Sequence, residues 1–312
     1  MQLALRSRRP PFVSRHRAAP TVIRKARRKQ KRSFGIRKVW PNARTRRRWL
    51  RAFKRSSPAT QLIAVIGIVL TLWLALNWVY QVVRKPSELF FPVSGALSKT
   101  PPETWDEYAP IFRKHSTSVI TPDLLAALAQ VEGSGSPVAR TYWRWSLRPE
   151  PFEVYRPASS AVGMYQITDG TFNEAKRYCV HNHIVVEDGP WTDFESCWFN
   201  SLYMRVVPSH AVEMTSGYLD RRVANTLSRL RIANATLQQK QDMAVVMHLC
   251  GAGAGALYAK RRFRLLSGQR CGDHDAHAYV ARVNAMKRAF RALADKRQWT
   301  TASERNFRFR LG

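Results

Sequence analysis

The first 58 residues contain no aspartate or glutamate, and residues 59–83 contain no charged side chain at all. Cysteine is scarce, with four in 312 residues, and none precedes the uncharged stretch. There is no glycine-rich phosphate loop, no redox CxxC pair and no Ser-His-Asp order, so nothing in the sequence calls for a nucleotide, a thiol redox centre or a serine nucleophile. No internal repeat is visible at any period. Outside the uncharged stretch no alternating run exceeds four or five residues, which argues against an all-β fold. Full-length disorder is excluded by the 45% hydrophobic and 11% aromatic content. An ordinary soluble enzyme is excluded by the way the charge is distributed.

Of the net charge of +31, residues 1–58 supply +21 through 21 Lys/Arg, and the 229 residues after position 83 supply +10. Between them, 62–83 reads LIAVIGIVLTLWLALNWVYQVV, with only Thr71, Asn77 and Gln81 clearly polar. A helix needs about 20 mostly apolar residues to cross a bilayer. The run is too long and too far along the chain for a cleaved signal peptide, although Arg47-Arg48-Trp49-Leu50 weakly echoes a twin-arginine signal. The expectation is an uncleaved single-pass anchor. Lys/Arg excess marks the cytoplasmic side, so the N-terminus stays inside and the long C-terminal part is exported.

The division expected is 1–58 a basic disordered cytoplasmic tail, 59–83 a transmembrane helix, 84–104 a linker, 105–297 a folded domain and 298–312 a C-terminal tail. The tail suits anionic inner-leaflet lipids, each nearby charge contributing about 1 kcal/mol. Another cytoplasmic partner or an organellar transit signal is a weaker reading, and nucleic acid is disfavoured.

All four cysteines, Cys179, Cys197, Cys250 and Cys271, lie in the exported part, where an even count suggests disulfides. Three pairings are open. Joining sequence neighbours is the simplest, each bridge closing a loop of about 20 residues for roughly 3 kcal/mol. The spacings Cys271-x-x-His274-x-x-His277 and Cys179-x-His181-x-His183 are ones a metal uses, but clearer CxxC or HxxxH pairs are missing. No catalytic metal and no organic cofactor are expected.

The outer domain reads as mostly helical. Thr121-Pro122-Asp123 marks a helix start, Leu124, Leu125, Leu128 and Val131 follow at helical spacing, and Gly133 supplies a stop. An aromatic and proline-rich connection covers 142–157. Further helices are expected over 170–179, 193–207 and 209–230. Thr236 with Gln239 makes a capping box for a helix to Cys250, and Asp273 is placed to cap a last helix to about Arg297. Glu132 ends the first of these helices, after apolar neighbours. Burial and the negative end of the helix dipole both disfavour its ionised form, which suits a group that protonates a glycosidic oxygen.

Downstream, residues 160–172 read SAVGMYQITDGTF. This stretch resembles the GA-x-GLMQ signature of soluble-lytic-transglycosylase (SLT) domains. The run PDLLAALAQVE at 122–132 is similar to the helix that leads to that family's catalytic glutamate. AVVMHLCGAGAG at 244–255 sits where the family has its AYNAG helix end, and AYVARV at 278–283 resembles its closing helix. The resemblance covers roughly residues 105–295. It implies a mainly α-helical, lysozyme-like fold and cleavage of the MurNAc–GlcNAc β-1,4 bond of peptidoglycan glycan strands, with a 1,6-anhydro product. It also implies a bacterial inner-membrane location with the catalytic domain in the periplasm.

By the same resemblance Glu132 is the single acid/base, and Gly163, Met164, Tyr165 and Gln166 form the floor of the sugar cleft. Three departures stand out. The family's Glu-Ser becomes Glu132-Gly133-Ser134, so the hydroxyl of Ser134 comes one residue late. An aromatic insert with Tyr142, Trp143, Trp145, Phe152 and Tyr155 lengthens the gap to Gly163. It suits sugar stacking and packing equally. His248-Leu249 replaces Tyr-Asn, which makes His248 a candidate substrate contact. Two other readings stand beside the transglycosylase. One is a hydrolytic muramidase using Asp169, Asp188 or Glu153 as a second carboxylate, and the other is an inactive peptidoglycan-binding scaffold.

Overall fold

A computed structural model describes residues 42–90, 95–146, 150–193 and 195–311, with side chains as far as 297. It divides into two units, 1–66 and 67–312. In the first, α1 (Ala43–Arg55) is built from alanine and arginine, which favour helix, and its final Lys54 and Arg55 complement the dipole. The expected disordered tail 1–58 is therefore helical over this stretch, while 1–41 lies outside the described residues. Ser56 closes α1 by donating to the Phe53 carbonyl at 2.7 Å. Next comes α2 (Pro58–Arg84), whose residues from 67 on belong to the second unit, 27 residues long and apolar enough to cross a membrane. At 1.5 Å per residue it extends about 40 Å.

The second unit is mainly α-helical. Two short 3-10 turns, Pro86–Phe90 and Gly95–Leu97, occupy the expected linker. The helix α3 (Pro101–Lys114) follows, and its Thr100 and Glu103 form a capping box. Next is α4 (Pro122–Gly133). Leu124, Leu125, Ala126, Ala127, Leu128 and Ala129 are all fully buried, so this helix has no polar face and occupies the centre of the fold. Thr121 stands at its N-cap, but the hydroxyl accepts from Gln241 Nε2 at 3.0 Å instead of capping.

The aromatic insert forms a hairpin of β1 (Trp143–Trp145) and β2 (Tyr155–Pro157), with Trp145 opposite Tyr155. It leads to α5 (Asp169–Ala175), then to the hairpin β3 (Tyr178–His181) and β4 (Ile184–Glu187). The helix expected over 170–179 thus ends early, and that over 193–207 is a single 3-10 turn, Trp198–Leu202. The helices α6 (Pro208–Arg229), α7 (Leu237–Cys250) and α8 (Ala252–Lys260) follow. A last hairpin, β5 (Arg270–Cys271) with β6 (His274–Asp275), precedes α9 (Ala276–Leu311). Asp275, not Asp273, caps α9 by accepting from the Ala278 N–H at 2.7 Å. The stretch 298–312 expected as a tail is helical to Leu311.

Around α4 the core gathers Trp105 and Phe112 from α3, Met214 and Leu219 from α6, Met243 from α7, and Tyr279, Val283 and Phe290 from α9. Fully burying each such side chain contributes about 1.5–3 kcal/mol. The rigid centre holds the carboxyl end of α4 in place.

Candidate active site

Glu132 emerges where α4 leaves the core. Gln130 fixes that end, donating to the Lys99 carbonyl at 2.9 Å and accepting from the Thr104 hydroxyl at 2.7 Å. Gly133 belongs to the helix instead of stopping it. The left-handed cap is Ser134, at φ 48° and ψ 39°. A Cβ on Gly133 would lie 2.7 Å from Met164 Cα and 2.9 Å from its carbonyl oxygen. Glycine here lets the 163–166 turn pack directly on α4, which gives the displaced serine a physical reason.

That turn carries the motif. Val162 and Ile167 pair across it, the Gln166 N–H donates to the Gly163 carbonyl at 3.0 Å, and the Gly163 N–H donates to Ala139 at 2.9 Å. Gly163 has φ +80°, and a Cβ there would collide with the Arg205 carbonyl. Its role is backbone geometry. Met164 and Tyr165, expected on the cleft floor, are fully buried, and the Tyr165 hydroxyl donates to the Leu125 carbonyl at 3.2 Å. Positive φ at Gly163 and Gln166 turns these two side chains inward against α4 and sends Gln166 outward. Both amide hydrogens of Gln166 are used, on Ala139 O at 3.0 Å and Gly163 O at 2.9 Å, which leaves its oxygen as the acceptor.

Two side chains approach the Glu132 carboxylate. Tyr279 from α9 donates its hydroxyl to Oε1. Burial first, and the neighbouring Glu132 charge second, push the Tyr279 phenol well up, so it remains a donor. His248, on the last turn of α7, has Nε2 3.8 Å from the same oxygen. Burial lowers its pKa, against the opposing pull of Glu132 and a hydrogen bond with the Tyr165 backbone, so the ring is neutral near pH 7. At 17% and 12% side-chain exposure, Glu132 and His248 both reach solvent.

Glu132 lines two concavities. One, of about 630 Å³, is walled by Gln166, Thr168, His248, Arg270 and His274. The other, of about 380 Å³, is walled by Ser134, Ser136, Arg140, Thr141 and Tyr142. Among the described residues no other carboxylate lines either one. The alternatives are engaged elsewhere, Asp169 with Arg205 at 2.8 Å, Glu153 with Arg84 and Arg156, and Asp188 with Arg177 at 3.6 Å. Of the aromatic insert only Tyr142 reaches the site. Trp143 and Trp145 each pack at a tilt on Tyr155, and Phe152 packs on Tyr80.

Disulfides join Cys179 to Cys197 and Cys250 to Cys271. The second lies in the wall of the larger concavity. With their thiols bridged, the Cys-x-His spacings offer no thiolate to a metal, and among the described residues no group of three His, Cys, Asp or Glu could hold one. The sequence does not mark Tyr279 or Arg270 as site residues, and it offers His274 only through a metal-like spacing. Tyr279 did lie in the segment resembling a closing helix, which was the signal available. Compared with protein-family models and with curated proteins, the chain matches none of them.

Proposed function

We propose that the chain is a membrane-anchored lytic transglycosylase cleaving the MurNAc–GlcNAc β-1,4 bond of peptidoglycan. The observation that carries the reading is the position of Glu132. Its side chain lines both concavities, an arrangement that suits a glycan strand crossing a scissile bond, and no second carboxylate lines either one among the described residues. A hydrolytic pair needs a partner carboxyl roughly 5–9.5 Å away. A single acid/base does not.

In this scheme the Glu132 carboxyl protonates the glycosidic oxygen as the C1–O bond breaks, and the GlcNAc 4-hydroxyl departs. The resulting carboxylate then takes the proton of the MurNAc 6-hydroxyl while O6 bonds to C1. Glu132 regains its proton and no water is consumed. Tyr279, holding Oε1, keeps the other oxygen free for proton exchange. The Gln166 oxygen and the neutral His248 ring are hydrogen-bonding partners for sugar hydroxyl and N-acetyl groups. With α2 as a single span and the basic N-terminal region inside, the site faces the periplasm of a bacterial inner membrane. The net charge of +10 beyond position 83 suits a wall rich in stem-peptide carboxylates.

Digestion of purified sacculi by the full chain in detergent tests this. Muropeptides lighter by one water, absent with Glu132→Gln, are expected. Hydrated reducing ends from the wild type would replace this reading with hydrolysis.

A further inference from the structure

The aromatic hairpin is docked on the last two turns of α2. Asn77 Nδ2 donates to the Tyr155 carbonyl at 2.8 Å and Gln81 Nε2 to the Phe152 carbonyl at 2.6 Å. Tyr80 packs on Phe152 at 5.3 Å, and Arg84 pairs with Glu153. Asn77 and Gln81, two of the three polar residues of an otherwise apolar stretch, are thereby buried to 1% and 5% exposure. From Asn77 to Val83 the helix rises only about 9 Å. With 59–76, about 27 Å of helix, filling the hydrocarbon, Asn77 stands at its outer edge and the hairpin lies beside the interfacial layer, which is roughly 5–7 Å thick on each side.

A two-stranded hairpin cannot enter hydrocarbon with its edges open, yet it suits the headgroup layer, where tryptophan and tyrosine are favoured. Trp145 is 68% exposed on one face, and Trp78, Tyr80 and Val83 are exposed on the same turns of α2 that carry the hairpin. On the other face Arg144 stands opposite Arg156, a like-charged pairing. Arg156 is paired with Glu153, whereas Arg144 is exposed and bonds no carboxylate among the described residues. Lipid phosphate oxygens would answer that charge.

We propose that the β1–β2 hairpin is a second membrane contact, seated in the outer headgroup layer of the bilayer that α2 crosses. It sets the height of the cleft. Ser159, in the wall of the larger concavity, is four positions after Tyr155, a reach of at most about 14 Å. Glu132 therefore works on glycan lying next to the membrane and not deep in the wall. This rests on reading α2 as a span.

The test is tryptophan quenching of the full chain in phosphatidylethanolamine–phosphatidylglycerol vesicles, with bromine placed either near the headgroup or near the chain ends. Trp145→Phe and Trp73→Phe isolate the two signals by difference, and phenylalanine preserves packing on Tyr155. The Trp145 signal is expected to be quenched about twofold more by shallow bromine than by deep bromine. Trp73, about 5 Å inside the hydrocarbon on this placement, should be quenched more by deep bromine than Trp145 is. Quenching of Trp73 with an unaltered Trp145 signal in every lipid overturns the hairpin contact and leaves the span standing. Loss of both signals' response overturns both.

Discussion

The Tyr279 hydroxyl donates to Oε1 of Glu132 across 147 positions of sequence, tying α9 to the end of α4. Hydrogen bonds to charged groups contribute about 1.5–3 kcal/mol, so Tyr279→Phe is expected to lower turnover about 10- to 100-fold. Substrate affinity, read as binding to sacculi, should hardly change. Full activity in the variant would reduce Tyr279 to a packing residue.

Gly133→Ser restores the residue order of the resembling family, yet it is expected to destabilise. Its Cβ would meet Met164 Cα at 2.7 Å, and overpacking of this kind costs about 1–3 kcal/mol. A denaturant midpoint at or above wild type would show that the 163–166 turn yields.

Cys250–Cys271 holds the β5–β6 hairpin against the end of α7, beside His248. Replacing both cysteines by serine should remove about 3 kcal/mol of stability. Activity at a temperature where the fold persists should fall as well, because the wall carrying Arg270 and His274 is released. Replacing Cys179 and Cys197, which lie outside the concavities, should lower stability alone.

Burial holds His115, His210 and His248 below the ordinary histidine value of 6.5. Each binds its proton more readily when unfolded. Their contribution to stability is therefore complete above pH 6.5 and is lost as pH falls through the lower folded values. Protonating His210 also removes the Nδ1 acceptor of the Met204 N–H. Chemical denaturation should show stability declining below pH 6.5, with a shallower decline in His248→Gln. A flat profile would mean that these rings are solvated.

Local signals were legible. Pro122 and the apolar run define α4, and Thr236 with Gln239 forms both bonds of its box. Less legible were features settled by distant parts of the chain. The 193–207 stretch is apolar and aromatic enough for a helix. However, the Cys197 bridge and the bond from Asn200 Nδ2 to the Tyr178 carbonyl at 2.7 Å hold it to a single turn. Met164 and Tyr165 carry the motif by type, but the positive φ values that turn them inward leave no mark at those two positions. Glu132 could be picked out from sequence. Its neighbour Tyr279 needed the packing of α9 on α4.

Asn77 and Gln81 are four residues apart, on one side of α2, and both are spent on the hairpin's carbonyls. Two such bonds at one azimuth define the rotational phase of the helix as well as its attachment. The apolar segment behaves as a keyed shaft and not as a tether. On the reading of α2 as a span, exchanging it for a generic oily helix keeps the anchor but loses the heading of the groove.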